Sequence, residues 1–325
     1  MYIILKSSEV EVHLLPYGAT IYRIKTKNKN GVMKNICLNH LDINKYDKFN
    51  ESYLGATIGR VAGRIKNGIF DIDGITYYLD INSKGKDSLH GGENGFDKVL
   101  WKYEVFGDEK CVFTYESKDL EGGYPGNVCI TVEYILVDNE LTVNYYGTSD
   151  KNTYLNLTNH SYFNLADDDV TIEKHKLQIN ATKYIGCDER LIPTDVFDIK
   201  GTEYDFSEIK EFGNLYDKKD THLKNMSGYD NGFLLDKETK SDYDLYLKDE
   251  LSGRTLKIKT SYSSIVLYTY NFPNETVLED RINRKHCGVA IEPQYPPNAI
   301  NDDRFFIPIV NKDNPYKETI KYKFN

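Results

Sequence analysis

The side chains best suited to chemistry in this sequence are two histidines and two carboxylates. His160 lies in Asn156-Leu-Thr-Asn-His-Ser-Tyr-Phe-Asn164, at the end of the strand-like run Tyr154–Thr158. Asparagine, serine and tyrosine around an imidazole can fix its tautomer or bind a polyhydroxylated ligand. His90 lies in Ser88-Leu-His-Gly-Gly92, where adjacent glycines leave its ring accessible in a loop. Glu292 follows the short apolar strand Gly288-Val-Ala-Ile291 and precedes Pro293-Gln294. A carboxylate there needs a partner or a ligand, because an isolated buried one is costly. An ion pair with an arginine meets that need as well as a ligand does. Asp230, in Gly228-Tyr-Asp-Asn-Gly-Phe233, fits an ordinary turn equally well. His13, His40, His175, His222 and His286 read as satisfied surface or core residues.

Other chemistries lack their parts. Gly63 and Gly68 have the spacing of a phosphate-binding loop, but Ile69 and Phe70 stand where Lys and Ser/Thr are required. Close strand packing and tight turns explain the glycines of Gly55–Gly68, though not the arginines among them, Arg60 and Arg64. The His90-Gly91-Gly92 run resembles an oxyanion loop, yet the GxSxG elbow that would serve it is absent. Neither HExxH nor a cysteine cage for zinc is present. Acid–base chemistry by histidines and carboxylates is what remains.

The elements that must position these groups are strands. Val128, Ile130, Val132, Tyr134 and Leu136 share one face, with Cys129, Thr131 and Glu133 on the other. Asp138-Asn139 supplies a turn, and Leu141, Val143 and Tyr145 resume the alternation, which predicts a hairpin. Similar runs occupy Ile21–Thr26, Ile75–Leu79, Trp101–Phe106, Lys110–Ser117, Leu256–Thr260 and Ile265–Tyr270. Short helices are expected only within Leu41–Tyr53 and Asp205–Phe212. The lysine-rich Asp217–Lys224, mixed with acids, reads as a solvated loop. Many strands and few helices point to an all-β antiparallel sandwich or barrel. With no linker or repeat in view, one large β domain over residues 1–325 is expected.

Composition narrows the partners. Lysine plus arginine, 41, against aspartate plus glutamate, 50, leaves a net charge of −9. That balance argues against a nucleic-acid or anionic-membrane partner, both of which need a basic footprint. The 27 tyrosines, against 14 phenylalanines and one tryptophan, suit strands and wet pockets alike. Five scattered cysteines, Cys37, Cys111, Cys129, Cys187 and Cys287, form no CxxC pair and read as buried small hydrophobes in a reducing compartment. Neither a signal peptide at Met1–Lys6 nor a bilayer-length apolar run is visible. A soluble, cytoplasmic protein is expected.

Taken in order, several segments resemble the aldose 1-epimerase (galactose mutarotase) family. They are Gly55–Ile65, Ser88–Gly92, Gly95-Phe-Asp-Lys98 with Trp101, and Gly122-Gly-Tyr-Pro-Gly126. Asn156–Leu165, Asp188–Thr194, Tyr229–Phe233 and Ile291-Glu-Pro-Gln294 complete the series over nearly the whole chain. The resemblance implies a large antiparallel β-sandwich with a few short helices, binding a free hexose in an open cleft without metal or cofactor. It also implies Glu292 as general base, His160 as general acid, His90 and Arg64 at the ring oxygen and neighbouring hydroxyls, and Asp230 on further hydroxyls. Tyr162, with Tyr124 or Tyr229 as an aromatic wall, is placed beside the cleft. A monomer or homodimer acting on a small sugar is expected.

Interconverting α and β anomers opens the ring, rotates about C1–C2 and closes it on the other face. Opening needs one group to take the C1 hydroxyl proton while another protonates the ring oxygen. An ionised glutamate and a protonated histidine perform these tasks, and the nearby carboxylate is expected to raise the histidine pKa. Three positions depart from the family pattern. Gly63 replaces a common asparagine, Asn231 a common histidine and Pro293 a common threonine, so substrate preference is less determined than reaction type. Two alternatives share the scaffold. A hexose-6-phosphate epimerase should carry a basic cluster, and Arg60 is the extra arginine near a matched motif. A non-catalytic sugar-binding regulator should have lost the acid or the base, and both are present.

Overall fold

The computed structural model describes residues 2–47 and 50–325. The predicted hairpin forms as Val128–Val137 paired antiparallel with Glu140–Ser149, in the register Val128↔Ser149 to Val137↔Glu140. Val128, Ile130, Val132, Tyr134 and Leu136 are buried, while the alternate positions face outward. This hairpin lies inside a nine-stranded antiparallel sheet. Its neighbours are Lys110–Ser117 on one side and the C-terminal strand Tyr316–Phe324 on the other. The remaining strand runs expected from alternation are strands as well.

A second sheet has six strands in the spatial order Tyr162–Phe163, Val289–Gln294, Ser264–Tyr268, Asp230–Leu235, Ala181–Cys187 and Pro193–Asp198. One face of it packs on the nine-stranded sheet. Phe163, Phe233, Ile265, Leu267, Val289 and Ile291 enter the same core as Val132, Val143 and Ile320. The Phe163 and Tyr322 rings meet across that interface at 5.8 Å. The sandwich is thus held by inward-facing residues of two antiparallel sheets. A four-stranded N-terminal sheet adds Val12, Leu14, Ile21 and Ile24 to the core.

Strand alternation gives the six-stranded sheet a second, chemically different face. Val289 and Ile291 point into the core, so Glu292 and Gln294 point away from it. On the neighbouring strands Val266, Tyr268, Asp230 and Gly232 share that outer face and line one cleft.

Helices depart from expectation. Within Leu41–Tyr53 the structure has a single 3-10 turn, Ile43–Lys45, capped by Asp42; residues 48 and 49 of that stretch lie outside the described residues. Asp205–Phe212 holds no helix: Asp205 accepts from the Ser207 N–H and hydroxyl in a turn, and Lys210–Glu211 is a short strand. The one α-helix among the described residues, Thr221–Met226, begins inside the stretch read as a solvated loop. Asp220 caps it by accepting from Leu223 N–H, and Leu223 and Met226 bury one side. A helix of six residues is too short for a period of 3.6 to stand out in the sequence. Of the cysteines, Cys37, Cys111 and Cys287 are buried as expected, Cys187 is half-buried and Cys129 is exposed. No helix among the described residues is long and apolar enough to cross a membrane.

Candidate active site

The outer face of the six-stranded sheet is the floor of a cleft of about 410 Å³, within the usual range for small-molecule sites. Glu292 stands opposite Val266, which stands opposite Gly232. Asp230 lies two strands from the Glu292 strand, a separation of about 10 Å, opposite Tyr268. The two carboxylates therefore flank the strand that carries Val266 and Tyr268. His160 enters from the Thr158–Asn159 strand end, beside Tyr162, with their ring centroids 5.0 Å apart.

Loops supply the opposite wall. His90 has φ 54°, followed by Gly91 at 91° and Gly92 at 88°. A Cβ on Gly91 would lie 1.9 Å from the Gly59 carbonyl oxygen, so glycine is required for this loop to pack on the Arg60 segment. Arg64 pairs with Leu89, which brings the arginine and His90 to one side of the cleft. The structure brings together Glu292, His160, His90, Arg64, Asp230 and Tyr162 from distant parts of the chain.

At the centre, His160 Nε2 lies 3.5 Å from Glu292 Oε1. His90 crosses His160 at 88°, with centroids 5.3 Å apart. Burial is nearly complete: Glu292 is 2%, His160 4% and His90 8% exposed. Glu292 Oε2, His160 Nδ1 and Arg64 Nε have no hydrogen-bond partner among the described residues. Unpaired polar atoms at this depth cost free energy that a polar ligand recovers.

Burial also sets the protonation. It pushes Glu292 up to about 8, reinforced by Asp230 and opposed by Arg64. It holds His160 down to about 4. The sequence-based expectation of a raised histidine pKa is therefore corrected, because loss of water around the imidazole disfavours its charged form. Burial thus favours the neutral form of each partner. Asp230 is also raised by burial, against the pull of Arg64, and His90 is held well below its ordinary value.

Ligand atoms of His90, His160 and Glu292 lie within 4.8 Å of one another, close enough for a metal. The hydrogen bonding opposes that use. His90 Nδ1 accepts from the Gly63 N–H at 3.2 Å, so the neutral ring keeps its proton on Nε2 and acts as a donor.

Three expectations need correction. Tyr124 does not form a wall of the cleft. It is 1% exposed, packs on Phe70 at 5.8 Å, and sits under the His90 loop, with a Cβ on Gly122 coming 2.9 Å from the Gly91 oxygen. Tyr229 is buried in the sandwich core and donates its hydroxyl to the Glu203 carbonyl. The polar residues around His160 hold backbone, not its ring. Asn159 donates to the Gly55 carbonyl and Ser161 to Asn159, while Asn156 bonds both the N–H and the carbonyl of Tyr295.

Sequence reasoning also overlooked cleft residues. Tyr53, with φ 56°, places its ring 4.8 Å from His90 and 5.6 Å from His160. It comes from a loop whose path no periodicity reveals. Gln294 was within reach, since alternation puts it on the same face as Glu292.

The aldose 1-epimerase family model matches residues 1–323. Human galactose mutarotase is 36% identical over 99% of this chain and 93% of its own length. The aldose 1-epimerase of Escherichia coli K12 is 32% identical over 96% of this chain and 91% of its own. Among solved structures, an aldose epimerase homologue from C. elegans superposes with a TM-score of 0.89 at 29% identity, covering 100% of this chain and 98% of that one. Galactose 1-epimerase from Lactobacillus acidophilus gives 0.86 at 28% identity, covering 100% and 94%.

Proposed function

The chain belongs to the aldose 1-epimerase family, and from that premise we propose that it interconverts the α and β anomers of free hexoses, with Glu292 as base and His160 as acid. It is an isomerase acting on a sugar; galactose and glucose are the proposed substrates. The observation that carries the reading is the buried His160–Glu292 contact of 3.5 Å in a cleft that also holds unpaired atoms of Arg64 and Gln294.

Ring opening moves one proton off the C1 hydroxyl and one onto the ring oxygen. A pair holding a single proton is matched to that task, because one member accepts while the other donates. Burial favours the protonated form of Glu292. A bound sugar replaces water with hydroxyls, and Arg64 stabilises the carboxylate, which favours transfer to His160. Glu292 then takes the C1 hydroxyl proton, His160 protonates the ring oxygen, and the C1–O5 bond breaks. Rotation about C1–C2 and closure on the other face reverse both transfers, so the pair is reset without a cofactor. His90 donates from Nε2 to the ring oxygen side, Arg64 to neighbouring oxygens, and Asp230 accepts from hydroxyls further round the ring. Tyr162 backs His160.

The charge of the cleft favours an unphosphorylated sugar over a hexose phosphate. Its cations, Arg64 and Lys84, face the carboxylates Glu51, Asp230 and Glu292. Arg60 is spent elsewhere, on Ser117 and on the carbonyls of Lys118, Pro125 and Gly126. One domain over residues 1–325, acting in the cytoplasm as a monomer or homodimer, without nucleic acid or membrane, completes the proposal.

Polarimetry on freshly dissolved α-D-galactose and α-D-glucose tests it. The protein is expected to speed the relaxation of rotation, and His160→Ala and Glu292→Ala each to lose about 10²- to 10⁴-fold. No acceleration over buffer would refute the activity. Equal rates in parent and both variants would refute the residue roles.

A further inference from the structure

Gln294 is 1% exposed and lines the cleft, yet among the described residues neither its amide oxygen nor its amide nitrogen has a hydrogen-bond partner. No other buried amide side chain among the described residues leaves both atoms unpaired. Its backbone is firmly placed. Ser264 Oγ donates to the Gln294 carbonyl at 2.6 Å, and the next residue, Tyr295, is held at both N–H and carbonyl by Asn156. A rigid strand therefore presents a free donor and a free acceptor to the same space that Glu292 faces.

We propose that Gln294 is a sugar-binding residue whose amide holds two hydroxyls of the substrate, on the side of the ring away from Asp230. The register supports that placement. Gln294 lies two residues beyond Glu292 on one strand face, about 7 Å along it. Asp230 lies in the row of Ala290 and Tyr268, on the opposite side of Glu292 along the strand direction. With Glu292 at the anomeric hydroxyl, Gln294 and Asp230 reach different edges of the ring. One hydroxyl accepts from the amide N–H and another donates to the amide oxygen, so both orphaned atoms are satisfied together. The inference rests on the epimerase reading for its ligand and on the unpaired amide for its residue.

Gln294→Leu keeps most of the volume and removes both polar atoms. For α-D-galactose it is expected to raise KM about 10- to 100-fold, with kcat changed far less. Removing orphaned polar atoms should leave the sugar-free Tm at or above that of the parent, a result that a packing role would not give. The same ratio is then measured for 2-, 3-, 4- and 6-deoxygalactose. It should fall towards one for the sugar lacking a hydroxyl that Gln294 holds. An unchanged KM for galactose, or an equal penalty for all four deoxy sugars, would overturn the proposal. Gln294→Met repeats the test if the leucine variant does not fold. If the parent does not speed mutarotation, the epimerase reading fails separately. Calorimetric titration with galactose then decides Gln294 alone: weaker binding by the variant upholds it, and equal or absent binding by parent and variant overturns it.

Discussion

Arg60 and Arg64 are four residues apart in one glycine-rich segment and have opposite surroundings. Arg60 is buried, its guanidinium donating to Ser117 Oγ and to the carbonyls of Lys118, Tyr124, Pro125 and Gly126. It ties the Gly122–Gly126 loop to the back of the His90 loop. Arg64 opens on the cleft with its Nε unpaired. Two other groups outside the cleft are bonded as Arg60 is. In the supporting region Asp244 receives Lys237, Lys259 and the Thr260 N–H, and Arg254 binds Asp167 and three carbonyls. In the cleft Glu292, His160, Arg64 and Gln294 each keep at least one orphaned atom. Arg60, Asp244 and Arg254 are thus bonded by the chain, whereas the four groups proposed to meet the sugar keep atoms open for it.

The largest effect that would sharpen this contrast is expected at the centre of the cleft. Glu292→Gln should lower the mutarotation rate by about 10²- to 10⁴-fold while making the fold more stable. The sign follows from Glu292 being raised from its ordinary 4.5 to about 8. The folded state retains a proton that the unfolded chain releases, so the parent loses stability as pH climbs through that interval. The advantage in Tm of the glutamine variant should grow from about pH 4.5 to about pH 8 and then level off. A variant less stable than the parent at pH 9 would break the contrast.

Next come the two arginines. Arg60→Met strands several buried carbonyls and should cost about 3 kcal/mol or more in chemical denaturation. Arg64→Met should change stability by less than about 0.5 kcal/mol and instead raise KM in polarimetry. Exchange of these two outcomes would invert the assignment of regions.

The pH profile of kcat/KM should be a bell. Above about 8 Glu292 ionises beside a neutral His160 and no acid remains. Below about 4 His160 gains a second proton for the pair and no base remains. A rate that keeps rising between pH 8 and 10 would exclude the shared proton. The smallest effect is expected at Tyr124→Phe, whose ring packs on Phe70 beneath the His90 loop and out of the cleft. KM for galactose should stay within about twofold of the parent, and a tenfold rise would return Tyr124 to the cleft wall.

Much of this was legible without coordinates. Alternation located the hairpin strands Val128–Val137 and Glu140–Ser149 to within a few residues, because a half-buried strand writes its two faces directly into residue types. Glu292 stood out as a carboxylate on an apolar strand, and the order of motifs led to the family. The short helix Thr221–Met226 escaped because Asp220 and two buried side chains define it, too few for a periodic signal.

Residue type and spacing were thus sufficient for the strands, and the order of the matched motifs for the family and its reaction class. They were insufficient for anything that depends on which groups converge from afar and how dry they become. Tyr124 and Tyr162 both occur in matched motifs, yet one supports a loop from behind and the other lines the cleft. The raised pKa of Glu292 follows from burial, which comes from separate regions of the chain meeting around it. Local sequence encodes the backbone's alternation, but desolvation and convergence are properties of packed neighbours, and those exist only once the sheets have closed on one another.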